Sequence, residues 1–214
     1  MLTCVIPDLH GRFDLLQDAL SAIRGKADKV IFLGDYIDRG PQSAQCVKRI
    51  RNGIENGLPW IALKGNHEDF MASAIIDQDQ MMEGSWLMNG GGDTIQSYDE
   101  KECMDSDAAW MKRLPAFHQD AHRVYVHAFA PEHYSLEEAP EHTLLWTRYP
   151  NRADVGYRGK HVVHGHTPKS HGPELYTMRT NLDCGAVWTG RLCIGVFSDA
   201  TAGGPVDLIQ VSRQ

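Results

Sequence analysis

Three short polar clusters carry the residues that could do chemistry. Asp8-Leu9-His10 sets a carboxylate and an imidazole two residues apart, and in an extended segment both would project to one side and chelate one ion. Gly34-Asp35-Tyr36-Ile37-Asp38-Arg39-Gly40 offers two acids and an arginine on a loop whose glycines allow tight turns, so it can meet metal and phosphate together. Gly65-Asn66-His67-Glu68 adds an amide oxygen and a second imidazole, and His127 and His166 each end an apolar, strand-like stretch. A donor set of carboxylate, amide and imidazole with no thiolate suits Mn²⁺, Fe or Zn²⁺ in expanded coordination better than a tetrahedral structural zinc site, and it suffices for two ions.

The elements that must present these clusters are legible from hydrophobic period. Leu2 to Ile6 reads as a buried strand and Phe13 to Ile23 as a helix; Lys29 to Leu33 is a second strand and Ser43 to Asn52 a second helix. Trp60 to Leu63 is a third strand, Gly65 to Glu68 a loop, and Asp69 to Ile76 begins a third helix. Each polar cluster therefore follows the carboxyl end of a strand, where open α/β sheets bind ligands. Residues 77–115 read as helices and loops covering one side. Beyond them, Val124 to Val126, Lys160 to Val163, Thr180 to Leu182, Leu192 to Phe197 and Val206 to Val211 are short strand candidates, a β-rich half.

Composition narrows the class. The chain has 214 residues with 42% hydrophobic content, enough for one substantial core and short for two domains. A net charge of -7 provides no basic footprint for nucleic acid. No apolar run nears the roughly 20 residues of a membrane span, and MLTCVIPDLHGR interrupts the apolar stretch that a secretory signal requires. Five scattered cysteines without a C-x-x-C pair argue for reduced thiols rather than a disulfide framework. These features predict a soluble cytoplasmic protein without nucleic-acid or membrane partners.

The order D-x-H-G, G-D-x-x-D-R-G, G-N-H-E and then distal histidines resembles the metallophosphoesterases, and within them the phosphoprotein phosphatase family. The resemblance is nearest to the compact bacteriophage lambda-type serine/threonine/tyrosine phosphatases and their bacterial relatives, through Trp86-Leu87-Met88-Asn89-Gly90-Gly91-Gly92, Leu145-Trp146-Thr147-Arg148 and Gly165-His166-Thr167-Pro168. It implies a single calcineurin-like domain over residues 1–214, an α/β fold built as a four-layer αββα sandwich with two mixed β-sheets flanked by helices. It also implies two divalent ions, Mn²⁺ before Fe or Zn²⁺, held by Asp8, His10 and Asp35 on one side and by Asp35, Asn66, His127 and His166 on the other. His67 would be the general acid, oriented by Asp38, while Arg39 and Arg148 would bind phosphate.

The activity so implied is phosphomonoester hydrolysis by a hydroxide shared between the ions, that of a serine/threonine and also tyrosine protein phosphatase, acting on phosphorylated protein or a small phosphomonoester. The second reading is a symmetrical diadenosine tetraphosphatase, whose relatives usually lack the aspartate that stands here as Asp38; a non-catalytic scaffold would have lost part of the set, and nothing is missing. His118, His122, His133, His142, His161, His164 and His171 match no ligand position, with His164 the nearest to an exception. Arg12 and the Trp86 to Thr94 segment read as an exposed charge and a glycine turn rather than site residues, and Met81, Met82, Trp86, Leu87 and Met88 as the packing of a covering helix. Phe129 stands beside His127 where the family usually has glycine, and could narrow the cleft or receive an aromatic leaving group.

Overall fold

The computed structural model describes residues 1–213. Strand β1 (Leu2–Ile6) pairs in parallel with β2 (Lys29–Phe32), which pairs in parallel with β3 (Trp60–Ala62). Helices α1 (Phe13–Ala22) and α2 (Ser43–Glu55) make the two crossovers. The other side of β1 is closed by β9 (Arg191–Ser198) and then β10 (Asp207–Ser212), both antiparallel to their neighbours, so the first sheet runs β10-β9-β1-β2-β3. The second sheet runs β4-β5-β6-β8-β7, from β4 (Phe117–Gln119), β5 (Arg123–Val126), β6 (His161–His164), β7 (Glu174–Leu175) and β8 (Arg179–Asn181), with β5, β6 and β8 parallel.

Period-two alternation explains how two sheets become four layers. In β1, Cys4 and Ile6 join the cluster under α1 and α2, whereas Val5 points the other way; in β2, Val30 and Phe32 face outward and Ile31 inward. The inward side chains meet Tyr125, Val163 and Leu182 of the second sheet and Phe197 of β9 in a fully buried intersheet core. The outer face of the second sheet packs Val124, Val126 and Val162 against Leu136, Leu144 and Tyr157, with Leu144 carried by helix α7 (Glu141–Trp146). The result is the expected αββα sandwich.

Some boundaries differ from the sequence reading for local reasons. Helix α3 spans Asn66–Ile75, three residues earlier than expected, because the Glu68 carboxylate reaches back to the Gly65 N–H at 2.9 Å and completes half of a capping box. The segment expected as a glycine turn holds that turn between helices: α4 (Gln80–Trp86) and α5 (Gly92–Ser97) are joined across Leu87–Gly91 with a kink at Gly90, φ 105°, and α6 (Lys101–Lys112) follows. Of the apolar residues assigned to packing there, Trp86 is buried and Met82 joins the core, while Met81 and Met88 are exposed. No helix among the described residues is long and apolar enough to cross a membrane.

Candidate active site

Residues after the C-terminal ends of β1, β2, β5 and β6, together with the first turn of α3, converge on one cleft. His10, Asp35, Arg39, Asn66, His67, Trp146, Arg148 and His166 line it, as do Asn89, Pro168, Asp183 and Trp188. His10, Asp35, Asp38, Arg39 and His166 all have positive φ, from 44° to 72°. Non-glycine residues are held in that region at a cost of about 1–3 kcal/mol each and cluster at functional sites.

Asp35 is the centre. Its Oδ2 lies 3.5 Å from His10 Nε2 and 4.0 Å from His67 Nε2, while its Oδ1 lies 3.4 Å from His127 Nε2. The donor atoms accordingly form two triads, His10–Asp35–His67 and Asp35–His127–His166, that share this carboxylate.

Second contacts of the imidazoles fix which nitrogen is free, as at metal-binding histidines. His127 Nδ1 donates to the Leu33 carbonyl (2.9 Å) and His166 Nε2 to the Trp146 carbonyl (3.2 Å). His127 Nε2 and His166 Nδ1 are then lone pairs facing each other at 3.2 Å, each 2.9 Å from Asn66 Oδ1. Three acceptors converge without a proton between them, an arrangement that a cation resolves. On the other side His10 Nδ1 donates to the Ile37 carbonyl (2.9 Å), so its Nε2 is free and takes a 2.7 Å contact from Arg39 Nη1.

Burial acts on these groups in one direction, penalising charge. It pushes the Asp8 and Asp35 carboxyls well above their ordinary range, with neighbouring carboxylates adding to the rise. It pulls His10 and His127 well down, His67 to about 3 and His166 to about 4. Neutral His10, His127 and His166, with free lone pairs beside carboxyls that ionise only against a counter-charge, fit a pair of divalent ions. The binuclear metal-binding centre of a phosphoesterase is evident in this set.

Asp8 departs from the simplest expectation. The turn at His10 breaks the extended repeat, Asp8 is in neither triad, and its carboxylate oxygens accept the His166 N–H at 3.2 and 3.0 Å. Gly165 is glycine for this reason, since a Cβ there would collide with the Asp8 carboxylate.

His67 Nδ1 meets Asp38 Oδ2 at 2.6 Å, leaving Nε2 toward Asp35 and the cleft. Asp38, fully buried, is pushed up to about 7 by desolvation, against the pull of hydrogen bonds from Thr94 and Trp86. Trp86 Nε1 reaches both of its oxygens (2.9 and 3.1 Å) and Thr94 Oγ1 donates at 2.6 Å. These two partners come from the segment set aside as bordering scenery. Gly90, at φ 105°, lets that segment pass close over the Arg39 backbone, where a Cβ would meet Arg39 N at 2.7 Å.

Glu68 ties the motifs together: its carboxylate accepts the N–H groups of Asp35 (2.7 Å), Tyr36 (2.8 Å) and Gly65 (2.9 Å). Asp183 is a further buried carboxyl absent from the sequence reading. Its Oδ1 accepts the Gly185 N–H at 2.8 Å, and burial lifts it to about 6; it lies two residues past the polar strand Arg179–Asn181, outside any of the metal motifs, which hid it.

The bland assignments also find their places. His164 is buried core, accepting from Arg179 at 3.0 Å; Arg12, expected as an exposed charge, is instead half-buried, paired with Asp14 at 2.8 Å and donating to the Ala186 carbonyl at 3.2 Å; and Phe129 packs on Tyr149 with ring centroids 4.5 Å apart, away from the cleft walls.

The family model for calcineurin-like phosphoesterases matches residues 1–170. Serine/threonine-protein phosphatase 1 of Salmonella typhimurium is 28% identical over 203 residues, 89% of each chain. The symmetrical bis(5'-nucleosyl)-tetraphosphatase of Methylococcus capsulatus is 27% identical over 141 residues, 65% of this chain and 47% of that protein, so the match spans less than half of the hydrolase. A solved structure provisionally assigned as a diadenosine tetraphosphatase superposes with a TM-score of 0.71 at 21% identity, covering 99% of this chain and 93% of the other. The likeness is thus divided between two substrate classes.

Proposed function

The chain belongs to the calcineurin-like phosphoesterase family, and from that premise we propose that it hydrolyses phosphoric esters at a two-metal centre, with dinucleoside polyphosphates the better supported substrate class. The observation that carries the chemistry is Asp35, whose two oxygens face opposite donor sets. Asp8, His10 and Asp35 would hold one divalent ion, and Asp35, Asn66, His127 and His166 the other, with Mn²⁺ favoured over Fe or Zn²⁺ for this donor set. When bound, two such ions neutralise phosphoryl charge and lower the pKa of water.

The chain's own groups do the rest. Arg39 and Arg148, both lining the cleft, bind phosphoryl oxygens through planar forks as charge redistributes. Arg39, whose Nη1 contacts His10 Nε2 at 2.7 Å, would be free for that role once His10 serves as a metal ligand. His67 delivers a proton to the departing oxygen from Nε2, and Asp38 at its Nδ1 orients the ring and favours the protonated form.

Symmetrical bis(5'-nucleosyl)-tetraphosphatases recur among the relatives, which supports a dinucleotide over the phosphoprotein that the sequence motifs favour. A phosphoprotein is the second reading, supported by the intact Asp38–His67 pair and by the match over 89% of the Salmonella phosphatase. The complete donor set counts against a scaffold.

The test strips the protein of metal, restores Mn²⁺, and compares diadenosine tetraphosphate with phosphoserine and phosphotyrosine peptides. Faster cleavage of the dinucleotide supports the proposal; faster peptide turnover moves the assignment to a protein phosphatase. His67→Asn should lower kcat by about 10²–10⁴ on phosphoserine, and less on the dinucleotide, whose phosphate leaving group needs a proton less. Metal analysis of the variant should still find two ions; the loss of one would make His67 a ligand instead.

A further inference from the structure

Trp188 takes no part in the chemistry proposed above, yet its position is not that of an ordinary surface side chain. It is 63% exposed on α8 (Ala186–Thr189), a single turn held between Gly185 and Gly190, both left-handed at φ 67° and 65°. Thr189 Oγ1 closes the turn by donating to the Cys184 and Gly185 carbonyls at 3.0 Å each, and Asp183 anchors its entry through the Gly185 N–H. The indole stands over the Arg39 guanidinium at 5.1 Å, and its centroid is 6.3 Å from the His10 ring. A rigid aromatic surface thus lies at the rim of the cleft, beside an arginine in line to hold phosphate.

The size of the cleft says what such a surface is for. Its volume is about 230 Å³, below the roughly 300–1,000 Å³ of pockets that enclose most of a drug-sized ligand. It takes the phosphoryl end of a substrate and leaves the remainder on the rim. Single exposed apolar side chains are common on protein surfaces, but this one is fixed where the non-reacting part of the substrate must pass.

We propose that Trp188 is a specificity-determining platform, stacking the nucleobase of a nucleoside polyphosphate whose phosphate is held at Arg39. The proposal rests on the phosphoesterase reading and sharpens its substrate class. Stacking of a base on an aromatic side chain is worth about 1–3 kcal/mol and tolerates any base, because every base has a π-face. Pyrophosphate or phosphoserine offers nothing to stack. Arg39 would keep one face of the indole occupied and oriented, leaving the exposed face to the ligand.

The experiment is calorimetric titration of the Mn²⁺-loaded protein with ADP, which symmetrical cleavage of diadenosine tetraphosphate would release, and with inorganic pyrophosphate. Wild type, Trp188→Ala and Trp188→Phe are compared. The preference for ADP over pyrophosphate should fall about tenfold in the alanine variant, and phenylalanine should restore most of it. Equal losses for the two ligands would mean that Trp188 acts through Arg39 alone and would overturn the platform, as would a preference untouched by either substitution.

Binding separates the two claims. A protein that cleaves no phosphoester but keeps a Trp188-dependent preference for ADP overturns the hydrolase reading and leaves the platform standing. One that cleaves phosphopeptides and shows no ADP preference overturns the platform alone.

Discussion

At the scale of single residues, the site depends on which atoms hold protons. An ionised Asp38 beside His67 Nδ1, 2.6 Å away, favours the imidazolium that can donate from Nε2. Burial pushes Asp38 up to about 7, and the hydrogen bonds from Thr94 and Trp86 oppose that rise. Trp86→Phe removes a donor to the charged carboxylate, a bond worth about 1.5–3 kcal/mol. With 1.36 kcal/mol per pKa unit, the Asp38 pKa should climb by roughly one to two units. Because Asp38 is active when deprotonated, the low-pH limb of kcat/KM should move to higher pH by that amount. A pH–rate profile measures this, and a limb that stays in place would remove Trp86 from the proton chemistry.

At the scale of elements, two loops are held in register by one carboxylate. Glu68, in the first turn of α3, accepts from the loop after β2 at Asp35 and Tyr36 and from its own helix start at Gly65. An amide has one acceptor oxygen, so Glu68→Gln turns an N–H₂ toward at least one of these buried donors. Leaving a buried donor unsatisfied costs about 1–3 kcal/mol, which at this chain length is a fall in Tm of roughly 2–12 °C. Thermal unfolding of the metal-free variant checks it; an unchanged Tm would mean that the loops are held by other contacts.

Across the whole molecule, the two sheets meet in a fully buried core, and the ligand-bearing loops emerge from the strands that build it. Leu182 is fully buried there, next to Asp183. Leu182→Ala should cost about 2–5 kcal/mol, seen as a lower denaturant midpoint at constant m. Met88→Ala, at a side chain 89% exposed in the covering segment, should stay within about 0.5 kcal/mol. Similar costs at both positions would place the core elsewhere.

The sequence by itself determined the first three strand-loop-helix units and nearly all cleft-lining donors, because these depend on local period and on short motifs whose residue types have few other uses; the layered sandwich followed from the family resemblance that those motifs carry. Asp35, Asn66, His67, His127 and His166 needed no coordinates to be singled out. Tertiary structure decided the rest, for reasons of distance along the chain. β9, from the far end of the chain, pairs onto β1 and with β10 closes the first sheet rather than extending a separate β-rich half. Trp86 and Thr94 reach Asp38 across 48 and 56 residues, and their polar atoms are indistinguishable in sequence from those of any covering helix. Asp183 and Trp188 come to the cleft from the far end of the second sheet. The bifurcation of Asp35 between two triads is likewise a matter of side-chain direction, which a motif names but only packing can aim.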